Sequence, residues 1–434
     1  MTSTLLLPLA LAHALVVVAI ALPPFPARRL LFSPPIAALH LRVLTAPHDL
    51  APHAAFALGT ATAIFLFLAA TWILFDSPQL SVWHDDHPHP AAHRPFLART
   101  LWAVRLFYSP RGISWNFRAH HAPRLPLALA SRRSYLLHRL SQAIVSFFAL
   151  DIAQSYMHGS PSSYFMNNND SSLREHGRAW FWLNLVAFAA TSYYTMKFYH
   201  VLLSLIMVGL NISDPVQWPD LFGPARDAYT VGRFWGRVWH QLFQKIFLTH
   251  ASFIVRTLQI PRRSHLSRIV TIVTAFLISA AFHAGGGSYM LNHTFTVTAR
   301  FFLAQAPAIL SEELVIGIAR TLWPSRAYPR GSGNNGIGSG VDRNYYDVSQ
   351  TPSPLSSPSS SPPPSRSPSM SRRPPSRAGP PSLINRLIGY VWVISWFGIC
   401  LPWIIEEETA AGQLCADVLP ISLVRGVLLG KWLT

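Results

Sequence analysis

Long apolar runs separated by arginine-rich polar segments dominate the hydropathy pattern. A helix needs about 20 mostly apolar residues to cross about 30 Å of hydrocarbon, and runs of that length recur. Residues 4–23 and 54–75 are the clearest. Weaker ones lie at 136–157, with Arg139 and Asp151 inside, and at 179–211. The latter is too long for one straight crossing, which predicts one strongly tilted helix or two helices broken near Lys197. Further spans are predicted at 268–291, 295–318, 384–405 and 416–432. The run at 4–23 has no basic segment before it and no small-residue cleavage site after it, so it reads as an uncleaved anchor rather than a secretory signal. The expected fold is all-α: a polytopic integral membrane protein with about 8 transmembrane helices. No internal repeat is visible.

The polar segments divide the chain. N-terminal anchor spans (1–75) precede a cytosolic loop (76–133), a core (134–324), a loop rich in Ser, Pro and Arg (325–382), and C-terminal spans (383–434). The 325–382 loop has almost nothing to bury and reads as a disordered tether. Residues 76–133 hold eight arginines and three aspartates, residues 212–267 seven basic residues, and the 325–382 loop seven arginines. The positive-inside rule places all three in the cytosol. The opposite side then receives 24–53, 158–178, 292–294 and 406–415, the last with Glu406, Glu407 and Glu408. Sequons at Asn169 and Asn292 fall on that side, as glycosylation in the endoplasmic reticulum requires. A third, at Asn211, falls in the cytosol.

Composition agrees with a membrane protein. Of 434 residues, half are apolar and only 12% are charged, against about 25% in soluble domains. The net charge is +17, nearly all arginine, since Lys197, Lys245 and Lys431 are the only lysines. In a soluble protein this would suggest nucleic acid. Here the arginines lie between apolar runs, where they set topology and face the anionic lipid bilayer, and no nucleic-acid partner is expected. Cys400 and Cys415 are too few for a disulfide framework or a zinc ribbon.

Two stretches carry candidate chemistry. Residues 211–243 lie in a cytosolic loop yet contain Trp218, Phe222, Phe234, Trp235, Trp239 and Phe243. Such density suits the membrane interface, and from 233 onward Phe234, Val238, Gln241 and Lys245 share a helix face, with Arg233 and Arg237 close by. An interfacial anchor helix is the plain alternative. The second stretch, 269–290, is an apolar run whose one histidine is His283, with Ser279 a turn before it and a triple glycine after it. A polar group inside hydrocarbon normally faces a cavity or a partner, and the glycines allow close backbone approach. A plain hydrogen bond to a neighbouring helix explains the histidine equally well.

Taken together, these stretches resemble a known family. Residues 233–240 (RFWGRVWH), preceded by 218–223 (WPDLFG), are similar to the signature of the wax-synthase-like branch of the membrane-bound O-acyltransferases, fungal type. His283 lies 43 residues after His240, where the family has its second histidine, and 111–116 (RGISWN) looks like a box preceding the core in fungal members. The resemblance covers roughly 100–320. Three departures stand out: Ala284 replaces the Glu that often follows the helix histidine, His240 stands where plant relatives carry Asn, and Val238 replaces an Arg.

The resemblance implies an acyl-CoA-dependent O-acyltransferase with no bound cofactor and no metal. Acyl-CoA, with acetyl-CoA favoured, would be the co-substrate. The acceptor would be a hydroxyl of an apolar terpenoid or other secondary metabolite, or a fatty alcohol in a long-chain wax synthase. His283 would be the general base, suited by a neutral imidazole in a water-poor chamber. His240 would position the donor or stabilise the oxyanion. Arg233, Trp235, Arg237 and Trp239 would hold the donor, the arginines meeting its phosphates. Direct transfer fits better than an acyl-enzyme, with Ser279 the one rival nucleophile.

Two other classes are weighed. His84, His87, His89 and His93 cluster with Asp85 and Asp86, and His120–His121 adds to them, as in a di-iron desaturase. No HxxHH box occurs, however, and Pro88 and Pro90 interrupt the cluster. Glu312 and Glu313, inside a span, suggest a transporter or scaffold, but there are no repeated halves.

Overall fold

The computed structural model describes residues 2–158, 164–166, 173–174, 177–291, 296–322 and 382–433. Three helices, α1 (Thr2–Ala21), α2 (Arg28–Thr45) and α3 (Pro52–Ala70), pack on one another, and α3 runs on into a π turn, Thr71–Phe75. A single turn, α4 (Pro78–Ser81), leads to α5 (Phe96–Phe107), which packs on α1. The long helices α6 (Arg132–His158) and α7 (Arg178–Gly209) lie along each other. Next, α8 (Val231–Arg233) opens into a second π turn, Phe234–Val238, followed by α9 (Gln244–Thr257). Helix α10 (His265–Ala280) ends in a third π turn, Ala281–Ser288. Helices α11 (Thr296–Leu322), α12 (Leu383–Ala410) and α13 (Leu423–Leu429) complete the chain. No strand occurs among the described residues, only isolated bridges such as His84–Trp115.

Among the described residues, six helical stretches are long and apolar enough to cross a membrane: Thr4–Ala21, Pro52–Phe75, Arg132–His158, His265–Ser288, Thr298–Ala319 and Leu383–Ala410. Their outer faces expose large apolar side chains, among them Leu137, Val145, Leu277, Leu314 and Val391. In water such a surface is a liability; against lipid it is the ordinary state, and the helices satisfy their own backbone groups. The chain is an all-α, multi-pass integral membrane protein.

The structure corrects several expectations. The run at 416–432 is not a span: its only helix, α13, has seven residues, far short of about 20. It is pinned by Asp151 of α6, which accepts from the Ser422 hydroxyl (2.5 Å) and from the backbone N–H of Leu423 (2.8 Å) and Val424 (3.0 Å). That explains an acid in the middle of an apolar run. Residues 24–53 are not merely a loop, because α2 buries Phe32, Ile36, His40 and Val43, one face at spacings of four, four and three. Helix α7 does not break at Lys197. Glu406, Glu407 and Glu408 lie in the last turns of α12 rather than in a loop. The single helix face from 233 to 245 is interrupted, since Trp239 is extended and α9 begins only at Gln244. Asn169, Asn292 and the 325–382 loop, Ser382 apart, lie outside the described residues.

Helix ends are set by capping. Ser264, Ser382 and Ser422 accept from the backbone N–H three residues on, opening α10, α12 and α13. The largest apolar cluster joins α1, α3 and α5 to Trp115, Ile246, Ile278 and Phe282. A second joins α7, α11 and α12. The C-terminal part of α10 sits between the two.

Candidate active site

His240 follows the second π turn. Thr230 opens that segment by accepting from the N–H of Arg233 (3.0 Å), and the Trp239 N–H closes it on the Phe234 carbonyl (2.7 Å). Gln241 then caps the exit, its amide donating to the carbonyls of Trp239 (2.9 Å) and Trp235 (3.3 Å). The chain is thereby bent so that the His240 ring packs among Trp239, Phe243 and Phe222 (centroids 5.5, 5.3 and 6.4 Å). Its Nδ1 is buried without a hydrogen-bond partner. Burial, with His283 and Arg111 adding to it, pulls the imidazole down to about 3, so His240 is neutral at physiological pH.

His283 sits in the third π turn. Its ring stacks on Phe302 of α11 (4.4 Å, 8°) and, further off, on Phe56 of α3 (6.1 Å, 29°). With alanine at 284, these two rings, rather than a following carboxylate, flank the imidazole. The triple glycine brings α3 close: a Cβ on Gly286 would lie 2.3 Å from the Gly59 carbonyl oxygen. Wide turns of this kind are rare and recur at functional sites.

Both histidines line one chamber, which holds about 640 Å³ of empty space including its mouth. Trp235, Trp239, Phe243, Phe247, Phe276, Phe282 and Phe302 make most of its wall. Ser279 lines it too, but its hydroxyl donates to the Ala275 carbonyl (2.9 Å), an ordinary helical back-bond. The Trp235 indole is fixed by Gln305, which also accepts from Trp396 (3.1 and 2.9 Å). Arg233 and Arg237 do not line the chamber. Arg233 pairs with Asp227 (3.5 Å) and lies over the Tyr229 ring (4.3 Å).

The two upstream boxes lie against each other. Arg111 donates to the Asp220 carbonyl (2.8 Å), and Arg139 bonds the Asp220 carboxylate (2.6 Å) and the Trp218 carbonyl (2.5 Å). Burial and the nearby Arg118 push Arg111 down to about 10, which leaves it charged. Gly223 packs on the backbone of 237–238, where a Cβ would lie 2.0 Å from the Arg237 carbonyl oxygen. Arg111 thus anchors the loop whose end abuts the His240 turn.

The other candidates have structural partners. Glu312 accepts from the N–H of Val231 (2.5 Å) and Gly232 (3.1 Å) and from the Trp392 indole (2.7 Å), and Glu313 pairs with Arg268. His84 contacts Asp86 (3.1 Å) and the Trp115 ring. Among the described residues, no three metal-ligating side chains converge. Sequence reasoning missed Phe56, Phe302 and Gln305, which carry no local signal.

Residues 218–304 match the membrane bound O-acyl transferase family, a segment that contains WPDLFG, both histidines and Phe302. Relatives with curated names are similar at low identity. Acetyltransferase eriL of Hericium erinaceus is 28% identical over 77% of this chain and 73% of its own length. Acetyltransferase sirH of Emericella nidulans is 29% identical over 47% of each. Acetyltransferase ple2 of Rhodocybe pseudopiperita is 24% identical over 77% of this chain and 74% of its own. No solved structure matches significantly. The motifs, the helical membrane architecture and these matches agree: over residues 218–304 the chain is similar to the membrane bound O-acyl transferase family, and over more of its length to fungal acetyltransferases.

Proposed function

We propose that this protein transfers an acetyl group from acetyl-CoA to a hydroxyl of an apolar acceptor, a terpenoid or other secondary metabolite, in the endoplasmic reticulum membrane. The carrying observation is that His240 and His283, from two separate motifs, line one aromatic-walled chamber. In this reading His283 takes the acceptor's proton as its oxygen attacks the thioester carbonyl. The C=O pair moves to oxygen, stabilised by a donor on neutral His240, and collapse expels the CoA thiolate, which recovers the proton from His283. The apolar wall excludes water and so limits thioester hydrolysis. That the chain's relatives are named acetyltransferases supports acetyl as the group moved.

The test is thiol release and ester formation by purified protein with acetyl-CoA and apolar alcohols, with mass spectrometry of esters made in an ester-deficient host. His283→Ala is expected to lose at least about a hundredfold, the low end for a general base, while still binding acyl-CoA. His240→Asn should retain more activity than His240→Ala, since an amide still donates. Wild-type turnover in His283→Ala refutes the mechanism. A variant His240→Asn as inactive as His283→Ala exchanges the two roles. Long-chain esters in place of acetates would make the protein a wax synthase.

A further inference from the structure

A second cavity, with about 800 Å³ of empty space, lies beside the first. Arg139, Tyr193, Lys197, His200, Asp220 and Phe222 are among its lining residues. Two of these are cations, and they differ. Arg139 is committed to Asp220, Gln142 and the Trp218 carbonyl. Lys197 makes no ion pair among the described residues; its ammonium lies 5.6 Å from the Tyr193 ring centroid. Lys197 lies half-buried, twelve residues before the end of α7. Asp220 lies near enough to attract it, but the carboxylate's direct ion pair is with Arg139, so one carboxylate faces two cations. Burial would raise the Asp220 carboxyl, but Arg139, Gln142 and Lys197 together hold it below its ordinary range. At the rim, Pro123 and Ala225 line the cavity, and the next residues, Arg124 and Arg226, are exposed. Neither makes an ion pair among the described residues. The cavity therefore has an excess of positive charge and room for an anion.

Its position says which anion. Phe222 lines this cavity and packs on Trp239 (5.1 Å) and His240 (6.4 Å), both of which line the histidine chamber. A molecule with a phosphate-bearing end at Lys197 would reach His240 past that one ring. We propose that the second cavity binds the phosphate-bearing nucleotide end of the acyl donor, with Lys197, which makes no direct ion pair among the described residues, as its cation and Phe222 as the partition its thioester arm passes. This rests on the acyl-transfer reading, and it moves the phosphates from Arg233, already paired with Asp227, to a different wall.

The experiment compares acetyl-CoA with acetyl-pantetheine, which keeps the thioester and lacks the nucleotide. For Lys197→Met, the ratio of kcat/KM for the two donors should fall by about ten- to a hundredfold, the value of one charge-assisted contact. Lys197→Arg should restore most of the ratio. An equal loss on both donors makes Lys197 merely structural and overturns the proposal. Direct binding of adenosine 3′,5′-bisphosphate to protein in phosphatidylcholine nanodiscs keeps the site testable even if no transfer is seen. Binding by the wild type that Lys197→Met loses supports the site independently of catalysis. Failure of the wild type to bind it, with phosphatidic acid stabilising wild type but not Lys197→Met, assigns the cavity to a lipid headgroup and overturns the proposal.

Discussion

Gly286→Ala separates the positioning of His283 from the stability of the fold. A Cβ at 286 would lie 2.3 Å from the Gly59 carbonyl oxygen, 2.8 Å from its carbonyl carbon and 2.8 Å from the Ala63 Cβ. Two of these atoms are backbone, so no rotamer change relieves the contact. Either α3 or the wide turn must move by about 1 Å to restore van der Waals separation, an overpacking cost of about 1–3 kcal/mol. Replacing a helical glycine returns up to about 1 kcal/mol, leaving a net loss of about 0–2 kcal/mol. Activity should suffer far more. His283 lies three residues earlier in the same turn, and a 1 Å misplacement of a reacting group costs about a hundredfold. The control is Gly317→Ala on α11, where a Cβ meets nothing within 4 Å; it should stay within about twofold of wild type. Thiol release and ester yield at matched membrane expression, with thermal unfolding in detergent, give both quantities. A folded Gly286→Ala protein with wild-type turnover would show that α3 does not set the position of the histidine.

Gln305→Leu should leave the Trp235 and Trp396 indoles without their acceptor and lower stability by about 1–3 kcal/mol for each N–H left unpaired, read as a fall in Tm. For His240, an imidazole pulled to about 3 binds its proton more weakly folded than unfolded. Its stabilising effect is therefore present above about 6.5 and is lost as pH falls toward 3. Between pH 7.5 and 5 the wild type should lose about 2 kcal/mol from this group, and His240→Asn should not; equal losses in unfolding scans refute the assignment. Deleting 345–380, which holds none of the motif residues, should leave turnover per folded molecule within a few-fold, and complete loss with normal membrane insertion would make that loop part of the machinery.

Helix class and most span positions were legible because apolar runs of the right length admit few other readings. The boundaries that failed did so for identifiable reasons. Arg28, Arg29, Pro34 and Pro35 break the apolar pattern of α2, so only its buried stripe reveals a helix. The run at 416–432 has span-like composition, and nothing local says that Asp151, some 270 residues away in sequence, halts it as a short capped helix. Within the site, the histidines were visible through their motifs, but the rings that hold them were not. Phe56 and Phe302 are two of 26 phenylalanines, and only tertiary packing distinguishes them. Lys197 was read as a possible helix break, because a charge in an apolar run looks the same whether it ends a helix or lines a cavity.

The same limit explains why residues 1–75 read as anchors, although α3 forms a support of the site. Phe276, Ser279 and His283, spaced three and four, all line the chamber. In a regular helix the stripe would continue to Gly286 and Gly287, about one turn further on. Instead those two lie against Gly59 and Phe56 of α3, because the π turn rotates the backbone by inserting a residue. One helix thus presents a lining stripe to the chamber and, directly after it, a glycine surface to α3. Side chains at 286 and 287 would force α3 away and take Phe56 from the His283 ring. Gly286 is required by the distance between two backbones and Gly287 by the Phe56 ring, and the position of the candidate base follows from that packing.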